Sequence, residues 1–324
     1  MFELDFAFFN LKNIDKKGLT GKKFFLDRLA PIFFSPRLEK LIDLQEIDSK
    51  GCSILLPLSP RNLNIMAPEK QEMMFKKAVA IAESCGLNMM AVDRRLSGFK
   101  RKLLELSGGF SPVFGDNFLK ALAFVLVRES LSRKNIKKLV IAGVTDYFTD
   151  FVEEIAGFGV PVSLQSYNPA RSELVAYRLL YEKGQAVSIN YLDPKNWDED
   201  DLVLVFGLDA QHLKIAVPGA FCFVFGDFSH LTVPELEESF RKNGLDSQMY
   251  SLAPVMEACL LSKAGFLMPD IELDIAQKGE GKKFLILQEI GYKLDLWALF
   301  LDKGMRGLYN HKENQERIEN RKEV

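Results

Sequence analysis

Lys137-Lys138-Leu139-Val140-Ile141-Ala142-Gly143-Val144-Thr145-Asp146-Tyr147-Phe148-Thr149 is the stretch on which the reading of this chain turns. An unbroken apolar run after two lysines predicts a buried strand. The run meets a single glycine, and helical spacing follows. A strand that passes through glycine into a helix is how a dinucleotide-binding unit opens. There the glycines allow a tight turn and let phosphate approach the helix N-terminus. Here Gly143 stands alone, and Asp146 and Thr149 sit where further glycines are expected. Asp146 would set one negative charge beside another, and like charges ~4 Å apart repel by about 1 kcal/mol even in water. The simpler reading makes Asp146 a helix N-cap. Architecture is legible in this stretch; activity is much less so.

Working outward, short β-branched and aromatic runs predict strands at 139–144, 161–167, 186–191, 202–207 and 220–227, with helices near 148–156 and 170–182. Such runs suit a parallel sheet covered on both faces. Right-handed crossovers then predict a Rossmann-like sheet whose strand order reverses after its third strand. The link 193–201 is short for a helix and reads as a turn. Ligands of such sheets bind at the carboxyl ends of the strands. The candidate cofactor-binding residues are therefore Gly143, Thr145 and Asp146 in the first turn, Ser166, Asn168 and Arg171 after the second strand, and Gly207 at the end of the fourth. Arg171 could take a ribose or a 2′-phosphate. The competing reading is a solvated loop in which Asn168 caps a helix through Pro169.

The N-terminal part alternates in the same way. Strands are predicted at 4–9, 52–57 and 88–92, with a helix from Pro68 to the stop at Gly86. Asp116 can cap a helix at 117–128 that is apolar on nearly every side. That marks either a buried connector between domains or an ordinary core helix. Thr232-Val233-Pro234-Glu235 reads as a capping box. Further helices are expected at 249–262 and 284–301. The class is α/β, in four segments: an N-terminal α/β domain over 1–115, a Rossmann-like domain over 116–248, C-terminal helices over 249–309 packing on the first domain, and a charged flexible tail over 310–324.

The chain has 324 residues, 48% hydrophobic and 27% charged, which is an ordinary globular composition. A net charge of −2, with no single-signed stripe, excludes an electrostatic footprint for nucleic acid. No apolar run approaches the ~18 residues of a membrane span. Acidic residues near Met1 argue against an export signal. Cys52, Cys85, Cys222 and Cys259 lie far apart with no C-x-x-C pair, which fits free thiols in a cytoplasmic setting and no metal site. His212 and His230 follow predicted strands, and His311 lies near the tail, but none has the neighbours of a catalytic triad. Cys259 has apolar neighbours and reads as packed and inert, as does Cys222.

Several segments in order resemble the long-chain acyl-(acyl carrier protein) reductases and their shikimate dehydrogenase-like relatives. They are Gly51-Cys52-Ser53-Ile54-Leu55-Leu56-Pro57-Leu58-Ser59-Pro60-Arg61, then Gly115-Asp116-Asn117, then Gly143 to Thr149, and last Ala253-Pro254-Val255-Met256-Glu257-Ala258-Cys259-Leu260-Leu261. The resemblance implies a two-domain NADPH-dependent reductase with a cysteine that carries the acyl group as a thioester. The departures fall on working parts. That cysteine aligns with Pro254, which has no nucleophile. Cys259 lies five residues on, about 140° round a helix. The nucleotide turn has lost two glycines. Val92-Asp93-Arg94-Arg95 is bulky and charged where the family is small and glycine-rich.

The resulting expectation is a degenerate, non-catalytic relative with no catalytic residue, whose cleft holds a ligand or partner. NAD(P) is disfavoured as cofactor by the degraded turn. The alternative is an active NAD(P)-dependent oxidoreductase with direct hydride transfer. A small-molecule or acyl ligand, and a homo- or hetero-oligomer, stay open as partners.

Overall fold

The computed structural model describes residues 4–12, 16–106, 111–143, 148–207, 221–227, 234–267 and 280–301. It divides into two units. One comprises Met1–Phe118 with Pro234–Pro269, the other Leu119–Val233 with Asp270–Val324. Both are α/β.

The first unit is built on a five-stranded sheet. Its strands are β1 (Phe6–Leu11), β2 (Arg37–Leu44), β3 (Ser49–Leu56), β4 (Met89–Val92) and β5 (Ser111–Val113), in the order β2-β3-β1-β4-β5. All pairings are parallel except β2 with β3. Its helices are α1 (Lys23–Phe33), α2 (Pro60–Ile65), α3 (Pro68–Ser84) and α4 (Lys100–Leu106). α3 starts on Pro68, whose missing N–H costs nothing in a first turn, and stops before Gly86 at φ +73°. Its buried Met74, Phe75 and Ala78 pack on the sheet, with Phe75 edge-on to Phe9 at 6.2 Å. α1, β2, α2, α4 and β5 lie outside the elements that the sequence pattern predicts. β2 carries charges through most of its length, and β5 is three residues around Pro112, so neither shows a buried-strand pattern.

α5 (Asp116–Arg133) begins in the first unit and continues into the second, where Ala121, Leu122, Val125 and Leu126 are buried. The second sheet follows: β6 (Lys138–Gly143), α6 (Thr149–Ala156), β7 (Val162–Ser166), α7 (Glu173–Lys183), β8 (Val187–Tyr191), β9 (Asp201–Phe206) and β10 (Phe221–Phe225). The order β10-β9-β6-β7-β8 is parallel throughout. Counted within the unit this is 3-2-1-4-5, the Rossmann order with its reversal after the third strand, as the apolar runs predict. The β8–β9 link is only a 3-10 turn, Pro194–Asn196, again as expected. Trp197 closes one face against Val140, Val203 and Val205, its indole N–H donating to Gln165 at 2.8 Å.

The chain then returns to the first unit as α8 (Pro234–Lys242) and α9 (Met249–Leu267), and enters the second again with α10 (Lys283–Lys293), followed after a turn by helical residues 296–301. The predicted helix at 284–301 breaks at Leu294, with Asp295 at φ 53°. Thr232, the expected cap of α8, and the tail from 302 lie outside the described residues. Among the described residues, no helix is long and apolar enough to cross a membrane. None of their His, Cys, Asp and Glu form a group of three placed to hold a metal.

Candidate functional site

The reversal point of the second sheet lies between β6 and β9, at their carboxyl ends. Gly143 closes β6 with φ 109°, a conformation that only glycine adopts readily, and its register partner across the pair is Phe206. Gly207 follows in the left-handed region at φ 64°. Ser166 ends the neighbouring strand β7, and its buried hydroxyl has no hydrogen-bond partner among the described residues. Gly143, Ser166 and Gly207 therefore share one sheet edge. Thr145 and Asp146, together with His212, His230 and His311, fall outside the described residues.

Aromatic rings line this edge. Phe148, the last residue before α6, lies 4.6 Å from the Phe206 ring, and Phe206 stacks on Phe225 at 4.7 Å. Phe151 meets Phe148, Phe206 and Phe284 edge-on, and Lys120 places its ammonium 5.1 Å over Phe148. Each such ring pair adds about 0.5–1.5 kcal/mol beyond the area it buries. α6 starts too late for Asp146 to cap it. The residue before α6 is Phe148, it makes no side-chain cap, and the acid in the first turn is Asp150. Gly281 lies so close to Asp150 that a Cβ would overlap the carboxylate. Further along α6, Glu153 is pulled below the usual carboxylate range against the effect of burial by Lys183 and Lys282, and Lys282 also reaches Glu154 at 2.8 Å.

Asn168 and Arg171 stand apart from the reversal edge in their surroundings. Both are exposed on the 3-10 turn Pro169–Ser172. Asn168 occupies the capping position with Pro169 after it, but its side chain makes no cap bond. It borders a hollow of about 620 Å3 walled by α7 and β8.

In the first unit, the position that the sequence resemblance sets against an acyl-carrying cysteine is closed. Pro254 is buried within α9, and Gly115, at φ +81°, packs on it so tightly that a Cβ would come within 2.6 Å of Ala253 C and Pro254 N. No nearby thiol replaces it. Burial pushes Cys259 up to about 12 and Cys222 to about 11. Burial and the adjacent Cys85 push Cys52 to about 12. A thiolate at any of these three is therefore scarce at neutral pH.

The charged segment after β4 folds into two closed sets. Arg95 forks onto the fully buried Asp93, with Nε–Oδ1 at 2.9 Å and Nη2–Oδ2 at 2.5 Å, and Nη2 also donates to Leu11 O. Burial raises the Asp93 carboxyl against the pull of Arg95. Burial also opposes the Arg95 cation, yet Asp93 outweighs it and holds the guanidinium charged. Tyr250 lies under the guanidinium at 4.0 Å and donates its hydroxyl to Asp246. Asp116 belongs to the second set. It was expected to cap α5 but is the first residue of that helix, and it accepts from Arg94 and Lys100 at 2.8 and 2.9 Å. Against burial, these cations keep Asp116 below the usual carboxylate range. The cap comes from α9 instead: Glu257 accepts from the backbone N–H of Asn117 and Phe118 and from Asn117 Nδ2. Nothing local marks Glu257 for that task, since it lies 140 residues from Asn117 in sequence.

No family model matches this chain, and neither does any curated protein. Two similar solved structures are dehydrogenases. L-tryptophan dehydrogenase from Nostoc punctiforme is 14% identical with a TM-score of 0.38, over 83% of this chain and 77% of that one. Quinate dehydrogenase from Corynebacterium glutamicum, in complex with NAD, is 12% identical with a TM-score of 0.38, over 79% and 93%. At these values the fold assignment rests on the strand order itself.

Proposed function

We propose that this chain is a non-catalytic binding protein built on a dinucleotide-type scaffold, related to NAD(P)-dependent reductases but without their chemistry. The observation that carries the reading is the Phe148–Phe206–Phe225 stack along the carboxyl edge of β6, β9 and β10. A diphosphate needs backbone room at that edge and an electropositive helix start. Gly143 retains the first turn's geometry, but Asp146 and Thr149 stand at its other glycine positions, and Phe148 and Asp150 bring a ring and a negative charge to the start of α6. These features disfavour the cofactor. The acyl-thioester branch is disfavoured independently, because Pro254 is sealed by Gly115 and the thiols at Cys52, Cys222 and Cys259 are held protonated.

Titration of NADPH and NADH fluorescence against the protein tests this. No binding is expected at millimolar cofactor, and no aldehyde is expected from long-chain acyl-thioesters with NADPH. Cofactor binding in the micromolar range would overturn the reading. It would favour the other one, an oxidoreductase with direct hydride transfer, for which the 3-2-1-4-5 order and the left-handed Gly143 speak.

A further inference from the structure

We propose that two copies of this chain associate through β8 and α7, joining their second sheets edge to edge about a two-fold axis at Ile189. β8 pairs with β7 alone, so its other edge offers unpaired backbone groups among the described residues. Natural edge strands are defended by charge, proline, bulges or shortness. The first sheet follows that rule: β2 carries Arg37, Glu39, Lys40 and Asp43 with a bulge, and β5 is three residues with Pro112. β8 does not. Its sequence Val187-Ser188-Ile189-Asn190-Tyr191 has neither a charge nor a proline, and its pairing with β7 runs without a register shift.

The strand is also complementary to itself. A two-fold at Ile189 makes the contact antiparallel and sets Val187 opposite Tyr191, Ile189 opposite Ile189, and Ser188 opposite Asn190. By strand alternation, the apolar Val187, Ile189 and Tyr191 meet on one face, and the polar Ser188 and Asn190 meet on the other. A parallel or shifted pairing lacks this match. Beside the strand, α7 exposes Tyr177 and Leu180, which wall the hollow with β8. Tyr191 is 73% exposed, Tyr177 59% and Leu180 47%.

Together with Tyr191, these side chains expose roughly 350 Å2 per copy, taking ~150–250 Å2 for a large apolar side chain. That is a large part of the ~800 Å2 per partner in a standard interface, to which the paired strand backbones add. The same operation that pairs the strands brings the two α7 helices side by side over one face. A second copy therefore covers strand edge and hollow together, and the inference does not depend on whether a cofactor binds.

Sedimentation equilibrium on the full chain tests it. The expected mass is twice the 36.7 kDa of one chain. Tyr177→Glu, at an exposed position that leaves the fold alone, and Ile189→Lys should each raise the dimer dissociation constant at least a hundredfold. Ile189→Cys should form a disulfide between copies under mild oxidation, because residues opposite each other in an antiparallel pair lie within disulfide reach (~4.5–5.5 Å between Cα atoms). A monomer at 100 μM would overturn the proposal, whether another protein or the chain's own residues 302–324 cover the edge. So would a dimer that survives Tyr177→Glu unchanged, or that yields no cross-link through Ile189→Cys.

Discussion

Replacing Glu257 with alanine should release the start of α5. The Glu257 carboxylate serves three N–H donors at 3.0–3.3 Å, and its residue is only 2% exposed, so water cannot take over. Each donor left unsatisfied costs about 1–3 kcal/mol. Some relaxation brings the sum to about 4 kcal/mol, a thousandfold in an opening equilibrium. Glu257→Gln keeps one acceptor oxygen for the two backbone groups, and a flip of Asn117 restores the third bond, so it should cost about 1–2 kcal/mol. Both tryptophans, Trp197 and Trp297, lie in the second unit, so intrinsic fluorescence is blind to this change. Hydrogen exchange of peptides covering 111–122 reads it directly.

The pH dependence adds a sign. Burial raises the folded pKa of Glu257 above its ordinary value, against the pull of its donors. The folded state then binds more protons than the unfolded chain between the two pKa values, so the contribution of Glu257 declines as pH rises from about 4.3. The gap between wild type and Glu257→Gln should narrow from pH 4 to 7. Exchange in Glu257→Ala within tenfold of wild type, or a gap that widens with pH, would refute the reasoning.

Gly115→Ala should destabilise by about 2–4 kcal/mol, combining a left-handed backbone with overlap against the backbone of Ala253 and Pro254. Differential scanning calorimetry would register it as a lower Tm. Asp93→Ala should cost about 3–5 kcal/mol by stranding Arg95, whereas the joint change Asp93→Leu with Arg95→Met should recover much of that loss. Circular dichroism in urea separates the two cases. Iodoacetamide at pH 8 should leave Cys259 and Cys222 unlabelled in the native protein, since burial holds both thiols near 11–12. Labelling read by peptide mass spectrometry within minutes would contradict that.

The second sheet was readable from local pattern because parallel strands buried on both faces are written as continuous apolar runs: 139–143, 202–206 and 221–225 announce themselves residue by residue. Gly143 announces the turn in the same way, since its φ of 109° requires a residue without Cβ. Strands such as β2 are written otherwise. Antiparallel to β3 at a sheet edge, with exposed charges, β2 owes its place to a neighbour and not to its own periodicity. The site residues divide along the same line. That the nucleotide turn lacks glycines is evident from Asp146 and Thr149 alone. That Phe148 lies on Phe206, that Glu257 caps α5, and that Gly115 seals Pro254 are contacts between residues 58 to 140 positions apart. Composition and spacing act over one or two turns of chain, whereas packing acts over a few ångströms of space. Only the folded chain brings those distant side chains within its range.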